Sequence, residues 1–498
     1  MTDYPLPHPT ASGKLAPVLL ALLLAGCTPL VPDTPQPPLP VPNTWPADTG
    51  QAAMTAAAGQ GTALPAWQDY FTDPTLRQLI DIALESNRDL RIAVLRIEEA
   101  RAAYGIQRAD LYPGISVGGQ GGRARTPGDL NPSGQSVVGG NYEAYVGLNS
   151  WEIDLWGRVR SLRDAALAEY LATEATQRAV QLSLITEVAH AWLGLRDLDE
   201  RAALARETAA SREQSYRIFK RRNDVGAASA LDLTQVETLL IQARALSAEL
   251  EQARAAQAHA LTLLLGAQAD PALTAPVRWD DALAFPPIRA GLPADLLLRR
   301  PDIMAAEQRL SVAQANIGAA RAAFLPRISL TGNWGTASAE LDGLFDAGSR
   351  AWSFLPTISL PIFDGGRLRA NLDLAEVRSD IAVAQYEKTI QTAFREVADA
   401  LSAHQWLAER LAIQREALEV QTRRAHLAQL RYDRGAASYL EVLDAQRDLL
   451  TAQQQLAQVR SSLLDSHVTL YAALGGDAAT AQSASVTPGT TPTSTATP

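Results

Sequence analysis

The 498-residue chain has one cysteine, six histidines and three methionines. A lone cysteine excludes a disulfide framework and a cysteine-rich zinc site. Beyond the initiator there are just Met54 and Met304, so no methionine ladder for soft metals exists. His190, His259, His404, His426 and His467 are scattered without ligand spacing. The 44 basic side chains are outnumbered by 54 acidic ones, for a net charge of −10. That excludes the basic face a nucleic-acid partner requires. Mean hydropathy is −0.07, and no run approaches the roughly 18 apolar residues of a membrane helix. Spanning by β-strands stays open, because their signal is weak in each segment.

Signs of catalysis are equally sparse. Gly114-Ile115-Ser116-Val117-Gly118 fits the Gly-x-Ser-x-Gly nucleophile pattern, but that serine belongs at a strand-to-helix elbow. Here it follows a helix-ending Pro113 and lies inside an alternating segment. Gly118, Gly119, Gly121 and Gly122 precede no helix, so they form no phosphate cradle. No catalytic centre is visible, and no cofactor or metal is expected.

At the N-terminus, Lys14 precedes an apolar stretch, Leu15 to Gly26, that ends Leu24-Ala25-Gly26-Cys27. A charged region, a short apolar region and small residues before a cut predict a signal peptide over 1–26. Leu-Ala-Gly-Cys resembles the lipobox of bacterial lipoproteins, which makes Cys27 the candidate lipidation site; an ordinary buried thiol is the alternative. Thr28 follows instead of Asp, which in such lipoproteins resembles sorting to the outer membrane. Several acyl chains give a stable anchor where one binds only marginally.

The rest of the chain repeats itself. Gly157-Arg158-Val159-Arg160 recurs as Gly366-Arg367-Leu368-Arg369, and Glu187-Val188-Ala189 as Glu396-Val397-Ala398. Gly226-Ala227-Ala228-Ser229 recurs as Gly435-Ala436-Ala437-Ser438, and Leu265-Gly266 as Leu474-Gly475, all at an offset of 209 residues. Upstream, Gly105, Arg108, Ala109 and Pro113 match Gly318, Arg321, Ala322 and Pro326 at an offset of 213. The four-residue difference is expected in a loop between these anchors. One unit is therefore present twice. The predicted boundaries are an extended segment over 27–64, a first repeat over 65–265, a linker over 266–300, a second repeat over 301–476 and a disordered tail over 477–498.

Each repeat opens with a helix that stops at a proline, continues with two strands, and closes with a long helical hairpin, 158–265 or 367–474. Arg367 to Arg434 holds 68 residues without Gly or Pro, enough for a helix roughly 100 Å long at 1.5 Å per residue. Second helices are expected to run back over Ala227–Leu265 and Ala436–Leu474. Val442, Leu449, Leu456, Leu463 and Leu470 stand seven apart, as do Leu443, Leu450, Ala457, Leu464 and Tyr471. A seven-residue repeat predicts left-handed supercoiling, and two adjacent stripes require helices on both sides.

The four predicted strands, about 114–122, 141–151, 327–335 and 352–362, alternate apolar and polar residues. Ile328, Leu330, Gly332 and Trp334 alternate with Arg327, Ser329, Thr331 and Asn333; Trp352, Phe354, Pro356, Ile358 and Leu360 alternate with Ser353, Leu355, Thr357 and Ser359. Such segments fit transmembrane barrel strands, or else a soluble sandwich edge. Four strands cannot close a membrane barrel, because open edges do not exist in lipid. The barrel must then be shared between chains. Trp151, Trp334 and Trp352, near strand ends, fit an interfacial aromatic girdle or ordinary core packing equally well.

Several strings resemble a family. Leu64-Pro65-Ala66-Trp67, Asp73-Pro74-Thr75-Leu76 and Asn87-Arg88-Asp89-Leu90 are similar to the start of TolC-like outer membrane efflux proteins of the lipoprotein (NodT) branch. So are Gly291 to Ile303, Ala315 to Phe324, and Phe363-Asp364-Gly365-Gly366-Arg367. The resemblance spans roughly residues 64 to 476. It implies an α+β membrane fold: a homotrimer whose twelve-stranded outer membrane β-barrel stands on a long periplasmic α-helical coiled-coil barrel, with a belt of small elements (266–300 among them) at mid-height. It further implies the exit duct of a three-part efflux pump, with a periplasmic adaptor (membrane fusion) protein and an inner membrane transporter, of the RND type, as partners beside outer membrane lipid.

Function is then expected at the hairpin turns, far from the strands. Gly226, Ala227, Ala228 and Ser229, with Gly435, Ala436, Ala437 and Ser438, are the candidate adaptor-contacting tips. Glu441 and Asp444 stand at i and i+3, on one side of a helix, and three-fold symmetry turns each into an acidic ring that attracts cations. A solvated acidic helix start is the alternative, and Asp444 can also pair with Arg447 at i+3. By resemblance, Tyr432 and Asp232 match the tyrosine and aspartate whose contact helps to hold the entrance closed. The chain departs from the family at Ala437, where some members carry an arginine. An exit duct for type I protein secretion and a periplasmic coiled-coil scaffold are the rival readings.

Overall fold

The structure is a computed structural model that describes residues 30–32, 40–42, 44–45, 64–278, 283–288 and 299–476. The signal peptide, Cys27, most of 27–64, part of the linker and the tail after Gly476 lie outside the described residues. The contacts divide the chain into two units, one of residues 1–38, 96–173 and 305–386, the other of 39–95, 174–304 and 387–498.

The elements in chain order are α1 Trp67–Tyr70, α2 Pro74–Ser86, α3 Arg88–Ala109, β1 Gly114–Thr126, β2 Val137–Ile153, α4 Arg158–Asp224, α5 Ala230–Leu265, α6 Pro301–Ala322, β3 Arg327–Ser338, β4 Arg350–Ser359, α7 Arg367–Asp433 and α8 Tyr439–Ala473. The duplication holds to the residue. Both α4 and α7 are 67 residues long and start 209 apart, while α3 and α6, β1 and β3, and β2 and β4 start 213 apart. The four-residue difference therefore lies past the start of the second strand, where β2 has 17 residues and β4 has 10. It is a feature of the strand as well as of the turn after it.

In the first unit the strands form one antiparallel meander in the order β1-β2-β3-β4. Residues directly opposite each other share a face, and the register aligns the apolar set: Ile115 with Leu148, Val117 with Val146, Val146 with Trp334, Trp334 with Trp352, and Ile328 with Ile358. The other face is polar. Gln120 donates to Glu143 at 3.3 Å and Ser116 to Asn149 at 3.2 Å. A bulge between Leu148 and Trp151 switches the parity of β2, so that Trp151 and Ile153 rejoin Leu330 and Ile328 on the apolar face. Strands β1 and β2 exceed their predicted lengths because pairing continues from Gly122–Asn141 to Thr126–Val137. Strand β4 stops short of its predicted end, before Pro361, which has no N–H for a ladder. Trp334 and Trp352 are 68% and 77% exposed on the chain, so neither is core within one copy. Trp151 is half-buried and donates its indole N–H to the Leu111 carbonyl at 3.3 Å.

Strand and helix are joined by ionic turns. Glu152 pairs with Arg158 at 2.8 Å and with Arg327 at 2.5 Å. The Asp154 carboxylate accepts the Arg160 N–H at 2.9 Å at the start of α4, and Asp364 accepts the Leu368 N–H at 2.8 Å at the start of α7. Orphan amide donors at helix starts are satisfied in this way.

The second unit is helical and has an aromatic core. Tyr70 stacks on Tyr471 at 4.4 Å between ring centroids, and Phe71 and Phe285 pack against the same pair. Asp73 caps α2 by accepting the Leu76 N–H at 2.9 Å, and Asn87 joins α2 to the end of α5 by donating to the Leu264 carbonyl at 2.8 Å. Arg300, buried, donates to Asp302 at 2.7 Å and to the Ala473 carbonyl at 2.9 Å, and pairs with Glu396 at 2.8 Å. Trp45 from the N-terminal segment is buried against Phe394, with centroids 4.9 Å apart.

Candidate functional site

Both hairpin turns are built alike. Past the end of α4, the Gly226 N–H donates to the Asn223 carbonyl at 2.9 Å and the Ala227 N–H to the Arg222 carbonyl at 2.7 Å. Past α7, the Gly435 N–H donates to the Tyr432 carbonyl at 2.9 Å and the Ala436 N–H to the Arg431 carbonyl at 2.8 Å. This bond pair satisfies carbonyls left over at a helix end and requires a left-handed residue. Gly226, at φ +74°, and Gly435, at φ +71°, take that conformation without a Cβ penalty. The following helices restart at Ala230 and Tyr439, not at the expected Ala227 and Ala436, because Ser229 and Ser438 take the N-cap positions.

Asp232 belongs to the first cap. Its N–H donates to the Ser229 hydroxyl at 3.0 Å, and its carboxylate accepts the Ser229 N–H at 3.2 Å and hydroxyl at 2.7 Å, a reciprocal capping box. Tyr432 is held by other groups. Its hydroxyl accepts from Arg222 at 2.8 Å, and its ring lies 4.9 Å from that of Tyr439. Within one copy the structure does not pair Asp232 with Tyr432. Each already has its own partner.

The acidic pair is compensated. Glu441 accepts from Arg431 at 2.7 Å, and Asp444 pairs with Arg447 at 3.4 Å. Arg447 also reaches Asp448 at 3.2 Å, and Asp448 accepts from Arg424 at 2.5 Å. The Arg424 and Arg447 guanidiniums hold the Asp448 carboxyl below the usual carboxylate range. A ring built from Glu441 and Asp444 is therefore a ring of ion pairs, not of bare carboxylates. The sequence reading missed Arg222 and Arg431, although they stand at the same 209-residue offset as the turns they flank.

Apolar packing ties the tips together. Phe219, Val236 and Leu443 form one buried cluster, and Ala428, Val442 and Ala445 another; Tyr439 packs against both. Its ring lies 4.7 Å from Phe219, and its hydroxyl is 2.6 Å from that of Ser215.

A polar seam continues this contact along α4 and α8. The Arg212 guanidinium donates to the Leu443 carbonyl at 3.3 Å, Arg201 and Gln454 exchange bonds of 2.8 and 3.0 Å, and His190 meets Asp465. On each helix these contacts recur every eleven residues (His190, Arg201, Arg212; Asp465, Gln454, Leu443). Eleven residues make three turns of 3.67, a period of the hand opposite to a heptad. Arg212 is 3% exposed and faces no carboxylate among the described residues, and burial lowers its pKa.

The family's sequence profile carries the same duplication. The profile of the family "Outer membrane efflux protein" matches residues 79–267 and again 292–476. The chain belongs to the outer membrane efflux protein family. It is 47% identical over 472 residues to the toluene efflux pump outer membrane protein TtgI of Pseudomonas putida, covering 93% of this chain and 98% of that protein. It is 45% identical over 465 residues to the outer membrane protein OprJ of Pseudomonas aeruginosa, covering 92% and 95%. Among solved structures, the CmeC outer membrane channel of Campylobacter jejuni superposes with a TM-score of 0.84 at 28% identity, over 90% of this chain and 95% of that one. The fold class is that of the trimeric TolC-like outer membrane channels, and the outer membrane is the location of this efflux protein.

Within that family the four-stranded meander is one copy's share of a barrel. Strands β1 and β4 are its edges, and in lipid their unpaired backbone groups require partners. Ser116, the candidate nucleophile excluded above, lies inside β1 opposite Gly147, as an extended strand residue and not at an elbow.

Proposed function

We propose that three copies form the exit duct of a three-part efflux pump and that its periplasmic gate is the cluster at the Gly226 and Gly435 turns. The seam between the hairpins carries this reading. Arg222–Tyr432, Ser215–Tyr439 and Arg212–Leu443 are side-chain contacts between the two helical hairpins at their turn end. They can break without unfolding either helix. An outward swing of α7 and α8 opens the duct, and the ion pairs Glu441–Arg431 and Asp444–Arg447 then line the entrance. The duct is passive. A periplasmic adaptor touching Gly226–Ser229 and Gly435–Ser438 favours the open state through contacts made only in that state, since a partner shifts an equilibrium only by differential affinity.

The inner membrane partner is a transporter of the RND type, and Cys27 anchors the duct to outer membrane lipid. Relatives named for toluene and antibiotic efflux support small, largely apolar molecules as cargo. The test is complementation. In Pseudomonas putida cells deprived of TtgI, this chain is expected to restore toluene tolerance, whereas Ala436→Trp together with Ala227→Trp at the tips abolishes rescue without lowering its level in the membrane. A wild-type chain that reaches the outer membrane and rescues nothing would refute the assignment.

A further inference from the structure

The register of the meander sorts its charges by face and by end. Side chains opposite each other share a face, and the β1–β2 and β3–β4 ladders run without a bulge. The apolar face of Ile115, Val117, Trp334, Trp352 and Ile358 therefore also carries Arg123, Arg125 and Arg350. Among the described strand residues of that face these three are the charged ones, and no carboxylate accompanies them. Glu143 and Glu152 stand on the opposite face.

Height along the strands is equally ordered. Ile115, Ile328 and Ile358 mark the helix end of the apolar face, and Gly121 (opposite Tyr142), Trp334 and Trp352 each stand six residues beyond them. The Tyr142 ring covers Gly121, where an added Cβ would stand 2.7 Å from it. Arg123 and Arg350 stand eight residues beyond Ile115 and Ile358. Eight residues make roughly 26 Å of strand, or roughly 20 Å of height at a tilt of about 40°. The outward apolar band of an outer membrane barrel is about 25 Å tall and is flanked by aromatic residues. Tyr142, Trp334 and Trp352 take that rank, and an arginine two residues farther extends its guanidinium into the headgroups. At the helix end, Arg158 and Arg327 are neutralised by Glu152. At the loop end, Arg125 donates to the Ser136 hydroxyl at 3.3 Å, and none of the three exposed arginines has an ion pair among the described residues. Glu340 and Asp342 line a cavity of about 530 Å³ together with Arg123 but do not pair with it.

We propose that Arg123, Arg125 and Arg350 form a rim that binds the phosphates of the glycolipid in the outer leaflet, lipid A. Guanidinium forks take phosphate oxygens two at a time, and the apolar band below them accepts the acyl chains of the same molecule. In a ring of three such sheets each β4 neighbours the β1 of the next copy, which places Arg350 on the strand beside that of Arg123 and Arg125. The inference rests on the outer membrane location and the barrel, not on the proposed gate.

Lipid titration tests it. The full-length protein, freed of lipid in detergent, is mixed with diphosphoryl lipid A, with lipid A stripped of its phosphates, or with inorganic phosphate, and bound molecules are counted by native mass spectrometry. A cation near a lipid surface contributes roughly fivefold to binding. Arg123→Gln, Arg125→Gln and Arg350→Gln together should therefore weaken binding of diphosphoryl lipid A roughly a hundredfold and leave that of the phosphate-free lipid unchanged. Arg350→Gln alone should weaken it roughly fivefold, which decides the question where the triple variant does not assemble. Equal binding of the two lipid forms by the natural chain, undiminished binding by the variants, or inorganic phosphate bound as tightly as the lipid would overturn the rim. Conductance plays no part in this measurement, so a failed rim leaves the duct reading intact.

Discussion

Removing one hydroxyl at the proposed gate should be enough to open it. Tyr432→Phe keeps the ring against Tyr439 and deletes the acceptor that Arg222 reaches at 2.8 Å. Arg222 is exposed and Tyr432 half-buried, so the guanidinium rehydrates and the loss is about 1 kcal/mol per copy, below the roughly 1.5–3 kcal/mol typical of a hydrogen bond to a charged group. Three copies opening together lose about 3 kcal/mol, which is roughly a hundredfold in the ratio of open to closed. Single-channel recording in planar bilayers should show the open fraction rise by about that factor wherever the wild type starts mostly closed. Unchanged open fraction in an intact trimer would show that the Arg222–Tyr432 contact does not hold the entrance.

Other perturbations address the rest of the molecule. Arg300→Met leaves Asp302, Glu396 and the Ala473 carbonyl without their shared donor; since both carboxylates keep partial contact with water, the expected loss is about 2–4 kcal/mol, read as a lower unfolding temperature. Burial drives the His467 pKa down to about 4 and lowers that of His404, whose ring lies 4.4 Å away. A histidine pKa depressed by folding means that the unfolded chain binds the extra proton first, so stability is full above about pH 6.5 and falls as pH drops toward about 4. His467→Phe should flatten that slope in thermal melts at pH 7, 6, 5 and 4; an unaltered slope would remove the pair as its cause. Cys27→Ala should abolish lipid labelling and mislocalise the protein without unfolding it, and labelling that survives would contradict the lipobox reading.

Much of the architecture was legible before any coordinate. The offsets of 209 and 213 locate paired helices and strands because a duplicated unit keeps its turn glycines, helix-ending prolines and cap residues in step. Alternation in Arg327–Trp334 and Trp352–Leu360 gave the common apolar face because side-chain direction in a strand depends on parity alone. Parity also marks where that reading ends. The bulge at Leu148–Trp151 reverses it, and no single strand announces a bulge that exists only relative to its partner. The serine caps were hidden for a related reason: Ala-Ala-Ser-Ala continues a helix as readily as it starts one, until Gly226 fixes where the previous helix stops.

The hairpin turns were legible as a place and not as a set of contacts. Periodicity identified the turns and put Glu441, Asp444 and Arg447 on one helix. It could not say that Tyr432 takes Arg222, that Glu441 takes Arg431, or that His404 and His467, 63 residues apart, touch. What the amino-acid order fixes alone is local: where a helix can run, where it must turn, and which side is apolar. Which residue meets which across α4 and α8 depends on the axial offset between two helices, and a slip of one turn would replace every contact in the seam. That offset comes from packing at the turns, where Phe219, Val236, Leu443 and Tyr439 interlock, and packing exists only once the chain has folded.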